Sequence, residues 1–394
     1  MARNITVGID IGSWETKVVV SEIAISEEGK EIPKIIAIGK SESRGLRHGY
    51  VVNSKEASKS IELAVRGAEK ISQIPIKKVF VSIGGIGIQS VVATGSVVIS
   101  RADSEITQLD MDKAISTAQG SLPESVILNK RVIHAIPLSY KIDGKSALGN
   151  PIGMKGMKLE VKVLFVTCLE HHLDDLIQAV EEAGLEVIDV TPAPFATAHV
   201  MLTKAQRIAG CVLCNIGSET TSIVVYENNV PISLEVFEIG SNDITNDIAL
   251  GLRIPLEEAE QVKLGSVVGG NYPKKKLDEI IVARLSDIFD LVESHLKKIG
   301  KSGLLPAGII LTGGGASFTL IEEFARGYLK LPAKVGALSQ HFGKQELKDS
   351  SWSVAFGLCV YGFSSDSIGT VHTTSIGIKK TAKKLGDWFK QFLP

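Results

Sequence analysis

The sequence predicts an α/β protein built as two similar lobes closing on a ligand between them, and three observations carry that prediction. Residues 5–25 run as an apolar strand, a tight glycine turn with small hydroxyl residues, and a second apolar strand. Residues 210–226 repeat this plan through Asn215-Ile216-Gly217-Ser218, so each half of the chain has one such hairpin. A third glycine cluster, Gly313-Gly314-Gly315-Ala316, follows another apolar strand late in the chain.

Length and composition agree with this. A chain of 394 residues is too long for one ordinary core, so two or more domains are expected. Apolar residues at 44% and charged residues at 22% give a globular balance rather than a disordered one. A formal net charge of -1 argues against wrapping a polyanion, and no nucleic-acid partner is expected. The cysteines, Cys168, Cys211, Cys214 and Cys359, are too sparse for a disulfide scaffold and suit a reducing cytosol. Cys211 and Cys214 form a lone C-x-x-C inside an apolar run, which reads as structural thiols in a buried strand. The N-terminal residues enter a strand pattern without the apolar stretch of a signal peptide. No run reaches the ~20 apolar residues of a spanning helix, so a cytosolic body is expected.

Strand and helix alternate between the two hairpins. Ala57, Ile61, Ala64, Val65, Ala68 and Ile71 fall at helical spacing over residues 54–73, and 79–83 is a strand. From 84 to 162 the texture changes to short strands with one helix near 111–121, which marks an inserted subdomain. Residues 163–167 form a buried strand, and 173–183 a helix ending at Gly184. The second half carries helices over 244–252, 256–264 and 277–299, then a strand at 307–312. The hydroxyl-rich stretch after Gly362 lacks either period and reads as a flexible linker.

Each glycine turn has the chemistry of a phosphate cradle. In the first, Gly12 lets the backbone approach closely, Ser13 offers a hydroxyl, and Trp14 and Thr16 shape the loop. Asp10 is placed to hold Mg²⁺ or its water shell, and Lys17 to neutralise phosphate charge. Asn215, Gly217, Ser218, Glu219 and Thr220 make the second turn. The third, Gly313, Gly314, Gly315 and Ala316, can admit a flat base and ribose. Taken singly, each turn is equally an ordinary hairpin or strand-to-helix connection; three in this order are far more specific.

That order resembles the superfamily of actin, the heat-shock chaperones and the sugar kinases: first phosphate loop, second phosphate loop, adenosine loop. Several runs are similar to the FtsA family in particular. They are Ile133-His134-Ala135-Ile136-Pro137 with Asp143-Gly144 and Asn150-Pro151-Ile152-Gly153, then Glu181-Glu182-Ala183-Gly184-Leu185-Glu186-Val187. Gly240-Ser241-Asn242-Asp243-Ile244-Thr245-Asn246-Asp247 and Leu252-Arg253-Ile254-Pro255-Leu256-Glu257-Glu258-Ala259-Glu260 complete the set.

The resemblance implies an actin-like two-lobed fold of duplicated ribonuclease H-like domains, with an inserted subdomain of the 1C type and a C-terminal amphipathic helix. The first lobe would take residues 1–83 and 163–195 and return at 344–362, with the 1C insert at 84–162. The second lobe would take 196–343, followed by the linker at 363–375 and the helix at 376–394. The resemblance further implies ATP with Mg²⁺ as cofactor, touched also by Gly240, Ser241, Glu260 and Lys263. It places Arg284 near the surface that receives the C-terminal tail of the tubulin-like ring protein FtsZ; read without the family, Arg284 is a solvated helix charge. Actin-like self-assembly, other division proteins and the cytoplasmic face of the membrane at the division site complete the expectation.

Two segments depart from the superfamily pattern. Relatives commonly carry Asp-Ile-Gly-Gly-Gly-Thr in the second loop, where this chain has Asn215-Ile216-Gly217-Ser218-Glu219-Thr220. A neutral amide thus replaces a carboxylate that helps hold Mg²⁺, and Glu219 would repel a triphosphate unless it points away. Relatives also commonly carry Glu or Gln where Ala193 stands, a side chain that positions attacking water. Losing both groups removes much of the positioning that phosphoryl transfer needs, so Asp10 is expected to support binding with very slow or absent hydrolysis.

The tail carries its own signal. On a helix, Leu385, Trp388, Phe389, Phe392 and Leu393 form one apolar stripe flanked by Lys383, Lys384 and Lys390. Aromatics on one side and lysines on the other fit a helix lying in an interface of anionic lipid. Such side chains yield ~1.5–3 kcal/mol each on burial, and each lysine ~1 kcal/mol beside anionic lipid. Ordering costs offset much of this, so one tail would bind reversibly and a row of tails by avidity. The combined expectation is an ATP-binding, polymerising division scaffold that tethers FtsZ to the membrane. The rivals are a pilus-assembly homologue of actin and a small-molecule kinase on the same fold.

Overall fold

Two large sheets carry the molecule, and each contains one of the glycine-turn hairpins. The computed structural model describes residues 5–25, 31–265, 272–318, 320–338, 340–342, 345–347 and 349–366. In the first lobe, β1 (Ile5–Ile11), β2 (Glu15–Ile25) and β3 (Glu31–Glu42) form an antiparallel meander. A small hairpin follows, β4 (Leu46–Arg47) and β5 (Tyr50–Val51), then helix α1 (Ser54–Ser72) and β6 (Lys78–Ile83).

The apolar spacing of α1 buries Ala57, Ile61, Ala64, Val65 and Ala68 in one stripe against β3. The Asn53 side chain caps its N-terminus by accepting from the Glu56 N–H, and Gln73 ends it in the left-handed region. Burial of Ile61 and Val65 contributes about 1.5–3 kcal/mol each.

The insert holds β7 (Gln89–Val98), α2 (Gln108–Gly120), α3 (Glu124–Ile127), β8 (Lys130–Ile142), β9 (Lys145–Ala147) and β10 (Lys158–Leu169). β7, β8 and β10 are long, not short as the sequence texture predicts, while β9 has three residues. Register shifts between β8 and β10 at Lys162/Val163 and Val166/Thr167 break the period-two pattern that would have betrayed their length. The predicted strand at 163–167 is the end of β10, which runs through the 162/163 boundary.

After β10 come α4 (Glu170–Glu182) and β11 (Glu186–Pro192), which closes a five-stranded sheet of order β11-β6-β1-β2-β3. Helices α5 (Ala193–Met201) and α6 (Lys204–Ala209) lead into the second hairpin, β12 (Cys211–Ile216) and β13 (Thr221–Glu227), followed by β14 (Val230–Phe237). The predicted helices of the second half appear as α7 (Ser241–Leu252), α8 (Leu256–Lys263) and α9 (Lys274–Lys298). Next are β15 (Ile309–Thr312), α10 (Ile321–Leu329), β16 (Ala333–Val335) and α11 (Ser353–Asp366).

The second sheet has nine strands in the order β16-β15-β12-β13-β14-β7-β10-β8-β9, so the insert continues the second lobe's sheet through the β14–β7 pair. One core runs beneath both lobes, from Ile9 and Val19 of the first sheet through Phe195 of α5 and Phe356 of α11 to Leu213 and Val224 of the second. The domain boundary drawn at 195/196 therefore falls inside a helix. The predicted linker start is also displaced, since α11 continues through Phe363 to Asp366.

Gly8 makes the crossing of α11 over β1 possible, because a Cβ there would lie 2.2 Å from the Ala355 carbonyl oxygen. All four cysteines are buried and unbridged, and burial pushes the thiols of Cys168, Cys211, Cys214 and Cys359 up to about 12. Among the described residues no helix is long and apolar enough to cross a membrane. The tail residues Lys383, Lys384, Leu385, Trp388, Phe389, Lys390, Phe392 and Leu393 lie outside the described residues.

Candidate functional site

The two hairpin turns and the third glycine turn meet at one cleft between the lobes, a cavity of ≈ 310 Å³. It is lined by Asp10, Gly12, Ser13, Trp14 and Lys17 from the first turn and by Asn215, Gly217, Ser218 and Thr220 from the second. Gly313, Gly314 and Gly315 face it from the third, and Ser241, Glu260 and Lys263 from α7 and α8. The volume is at the small end of what ligand sites offer.

Four predicted residues stand elsewhere. Thr16 is fully buried beneath the loop, its hydroxyl 2.9 Å from that of Ser43. Gly240 lies behind the second loop, where a Cβ would sit 2.4 Å from the Ser218 carbonyl oxygen. Ala316 is buried in a separate core of the second lobe, which it shares with Ile216 and Leu311. Glu219 is not among the residues lining the cleft; its carboxylate accepts from the backbone N–H of His48 at 2.5 Å.

The first turn is electrostatically prepared. Asp10 is half-buried near the end of β1; desolvation raises its pKa, and the Lys17 ammonium and a 2.8 Å hydrogen bond from Ser82 oppose the rise. Lys17 lies 3.3 Å from Glu15 and 5.8 Å from the Trp352 ring centroid. Burial also acts to raise the Glu15 carboxyl, but its bond to Lys40 and the charge of Lys17 outweigh this and hold it below the usual range.

The second turn is tied to the start of α7. Ser241 N–H donates to the Gly217 carbonyl at 2.9 Å and Asn242 N–H to that of Ser218 at 2.7 Å. At the third turn, Gly313 has φ +89° and packs on Asn215, whose Oδ1 would be 2.3 Å from an added Cβ. A Cβ on Gly315 would be 2.4 Å from the Ile216 side chain, whereas Gly314 has open space. Two of the three glycines thus answer to packing and one to the cleft.

Opposite, Lys263 is 2.6 Å from Glu260 and donates to the Thr245 hydroxyl at 2.8 Å, while that hydroxyl donates to Glu260 at 2.6 Å. Both charges are already neutralised locally, which suits polar contacts to a neutral group. Arg284 stands apart on α9, paired with Asp247 at 2.7 Å.

Sequence reasoning missed several lining residues: Ser82, Gly84 and Gly85 at the end of β6, Phe318, and Ser350, Ser351 and Ser353 at the start of α11. Only Ser82, a polar residue ending a buried strand, offered a signal. Ala193 opens α5 on the cleft wall and supplies no acceptor.

The sequence model described as "Cell division protein FtsA" matches residues 212–357, and that described as "SHS2 domain inserted in FTSA" matches 85–167. The cell division protein FtsA of Pseudomonas aeruginosa is 30% identical over 385 residues, covering 92% of this chain and 90% of the relative. The chain belongs to the FtsA family. The FtsA of Bacillus subtilis is 31% identical over 352 residues, covering 84% of this chain and 78% of its own, and that of Borreliella burgdorferi 29% over 415, covering 99% of each.

Among solved structures, the PilM-PilN type IV pilus biogenesis complex aligns at TM-score 0.67 with 18% identity, covering 91% of this chain and 98% of that one. MreB5 of Spiroplasma citri bound to ADP aligns at 0.52 with 14% identity, covering 92% and 97%. These likenesses establish the actin-like fold. The FtsA insert is the SHS2 domain, and its sheet joins the second lobe as described above.

A magnesium nucleotide fits the donor set. The half-buried carboxylate of Asp10, several hydroxyls and an open glycine suit a metal held largely through its own waters and the phosphates. Among the described residues no cluster of three or more His, Cys, Asp or Glu side chains forms a dedicated metal cage.

Proposed function

We propose that this FtsA-family chain is an ATP-binding, self-assembling division scaffold that hydrolyses its nucleotide very slowly or not at all. The observation that carries this reading is the convergence of three glycine turns on Asp10 in a cleft where Asn215 and Ala193 replace the expected carboxylate and water-positioning side chain. Asp10 would take Mg²⁺ through its water shell, Lys17 would face phosphate charge, and Glu260 with Lys263 would meet the nucleoside. Gly12, Ser13, Gly217 and Ser218 would present backbone N–H groups and hydroxyls to phosphate oxygens. ATP supplies the cross-lobe ligand that holds the cleft closed; the residues present bind and orient more than they activate water.

The tail at 376–394 would anchor this body to anionic lipid at the cytoplasmic face, with Arg284 in the neighbourhood that takes the FtsZ tail. Family membership and the amphipathic pattern of the tail support this reading. Sedimentation with anionic liposomes, with and without ATP, comparing the full chain with a truncation ending at Ser375, tests it. Pelleting should need the tail and grow with ATP. Equal pelleting of the truncated chain would sink the tether, and indifference to ATP would sink the nucleotide-dependent polymer. A small-molecule kinase is disfavoured by Asn215 and Ala193. The fold likeness to the pilus complex keeps a pilus role as the second reading, which pelleting with an FtsZ tail peptide against a pilus-protein N-terminal peptide separates.

A further inference from the structure

The β4–β5 hairpin touches both phosphate loops at once. Its two-residue turn, His48-Gly49, has φ of +49° and +81°, the pattern of a type I′ connection. Such a turn aims both central N–H groups away from the hairpin, and here each has found an acceptor on a different lobe. His48 N–H donates to Glu219 Oε2 of the second loop at 2.5 Å, and Gly49 N–H donates to Ser13 Oγ of the first at 3.1 Å. The Ser13 hydroxyl, an acceptor in that bond, still carries an O–H to donate.

The same turn rests on the root of the SHS2 insert. A Cβ on Gly49 would lie 2.6 Å from Gly85 N and Cα, and one on Gly85 3.1 Å from the His48 carbonyl oxygen, so only glycine allows this backbone contact. Gly85 has φ +100° and follows Gly84, whose carbonyl accepts from the His172 Nε2–H at 2.8 Å. A few residues on, Ser90 Oγ donates to the Leu234 carbonyl at 2.8 Å and accepts the Leu234 N–H at 2.7 Å, joining the insert to β14 of the second lobe. The insert is therefore held by a glycine hinge to one lobe and, to the other, by the β14–β7 strand pair and the Ser90 side chain.

We propose that Glu219 and the His48-Gly49 turn form a clasp that carries occupancy of the cleft to the hinge of the insert at 84–90. The proposal rests on the nucleotide reading above. Phosphate in the cleft engages Ser13 and draws the two loops together, the turn bonded to both follows, and its contact with Gly85 sets the hinge. Glu219 is a positioning residue in this scheme, since it stands outside the cleft.

Amide hydrogen exchange on the full chain, with and without Mg-ATP, tests this in the wild type, Glu219→Ala and Glu219→Gln. In the wild type, ATP should slow exchange on the order of tenfold both in the loops at 11–15 and 313–317 and in the hinge at 84–90. Glu219→Ala should keep the slowing in the loops and lose it at the hinge, while Glu219→Gln, which retains an acceptor for His48, should restore it. Slowed loops with an unchanged hinge in the wild type would overturn the clasp, as would a Glu219→Ala protein that behaves like the wild type. Loops that do not slow at all would overturn the nucleotide reading itself, and the clasp with it.

Discussion

The hydroxyl of Ser82 donates to Asp10 Oδ1 at 2.8 Å, joining the ends of β6 and β1 under the first glycine turn. The bond stabilises an ionised carboxylate where burial opposes it, so it sets the charge available to a metal.

Ser82→Ala should therefore raise the Asp10 pKa further and shift the rise of Mg²⁺-dependent nucleotide binding to higher pH. A hydrogen bond to a charged group is worth roughly 1.5–3 kcal/mol, so the shift should be readily measurable by titration. The sign for the free protein is opposite. A carboxyl with a raised folded pKa binds its proton more tightly when folded, so it contributes stability below pH 3.8 that is lost as pH rises through the raised value.

Restoring the two missing groups should restore turnover. Asn215→Asp is close to isosteric, so it keeps the packing on Gly313, and Ala193→Gln adds an acceptor on the cleft wall. Phosphate release by the double variant should exceed that of the wild type by on the order of a hundredfold, the usual contribution of a positioned acid–base pair. No increase would mean that the slow step lies outside these two positions.

Gly8→Ala should destabilise the whole fold, not the cleft alone. Its Cβ would have to displace α11 from 2.2 Å at the Ala355 oxygen, and overpacking of this kind costs about 1–3 kcal/mol or more. Thermal unfolding should show one lowered transition, because α11 belongs to the core shared by both lobes.

Acid should loosen the second lobe through His295. Burial, reinforced by Lys298, pushes this histidine down to about 4 from 6.5, and its Nε2 is 2.7 Å from the Ser233 hydroxyl. A lowered folded pKa gives stability that is present above pH 6.5 and lost as pH falls toward 4. Denaturant midpoints measured across that window should fall with pH, and His295→Gln should flatten the slope.

The glycine turns and most helices were legible because each leaves a local trace: a strand ending in Gly-Ser, or a stripe like that of α1. Residues such as Ser350 and Phe318 left none, since they reach the cleft by long-range packing of segments with no recognisable period. Glu219 shows the limit most sharply. Its position in the second loop predicts a clash with phosphate, yet the acceptor role it has taken depends on a hairpin about 170 residues earlier. The insert's strands were underestimated because bulges erase alternation, and the shared sheet across β14 and β7 was invisible because pairing between distant segments has no local signature.

Helix α11 has a mechanical consequence. It is the last described element before the tail, and it is gripped on several sides. Cys359 Sγ donates to the Val19 carbonyl, the Tyr361 hydroxyl donates to Asp189, and Gly357 lies so close to α5 that a Cβ would be 1.9 Å from the Ala196 oxygen. Under the tether proposed above, a pull transmitted from the tail would meet a helix packed into the core that both lobes share. A tether fastened there can bear force without unzipping the body it holds.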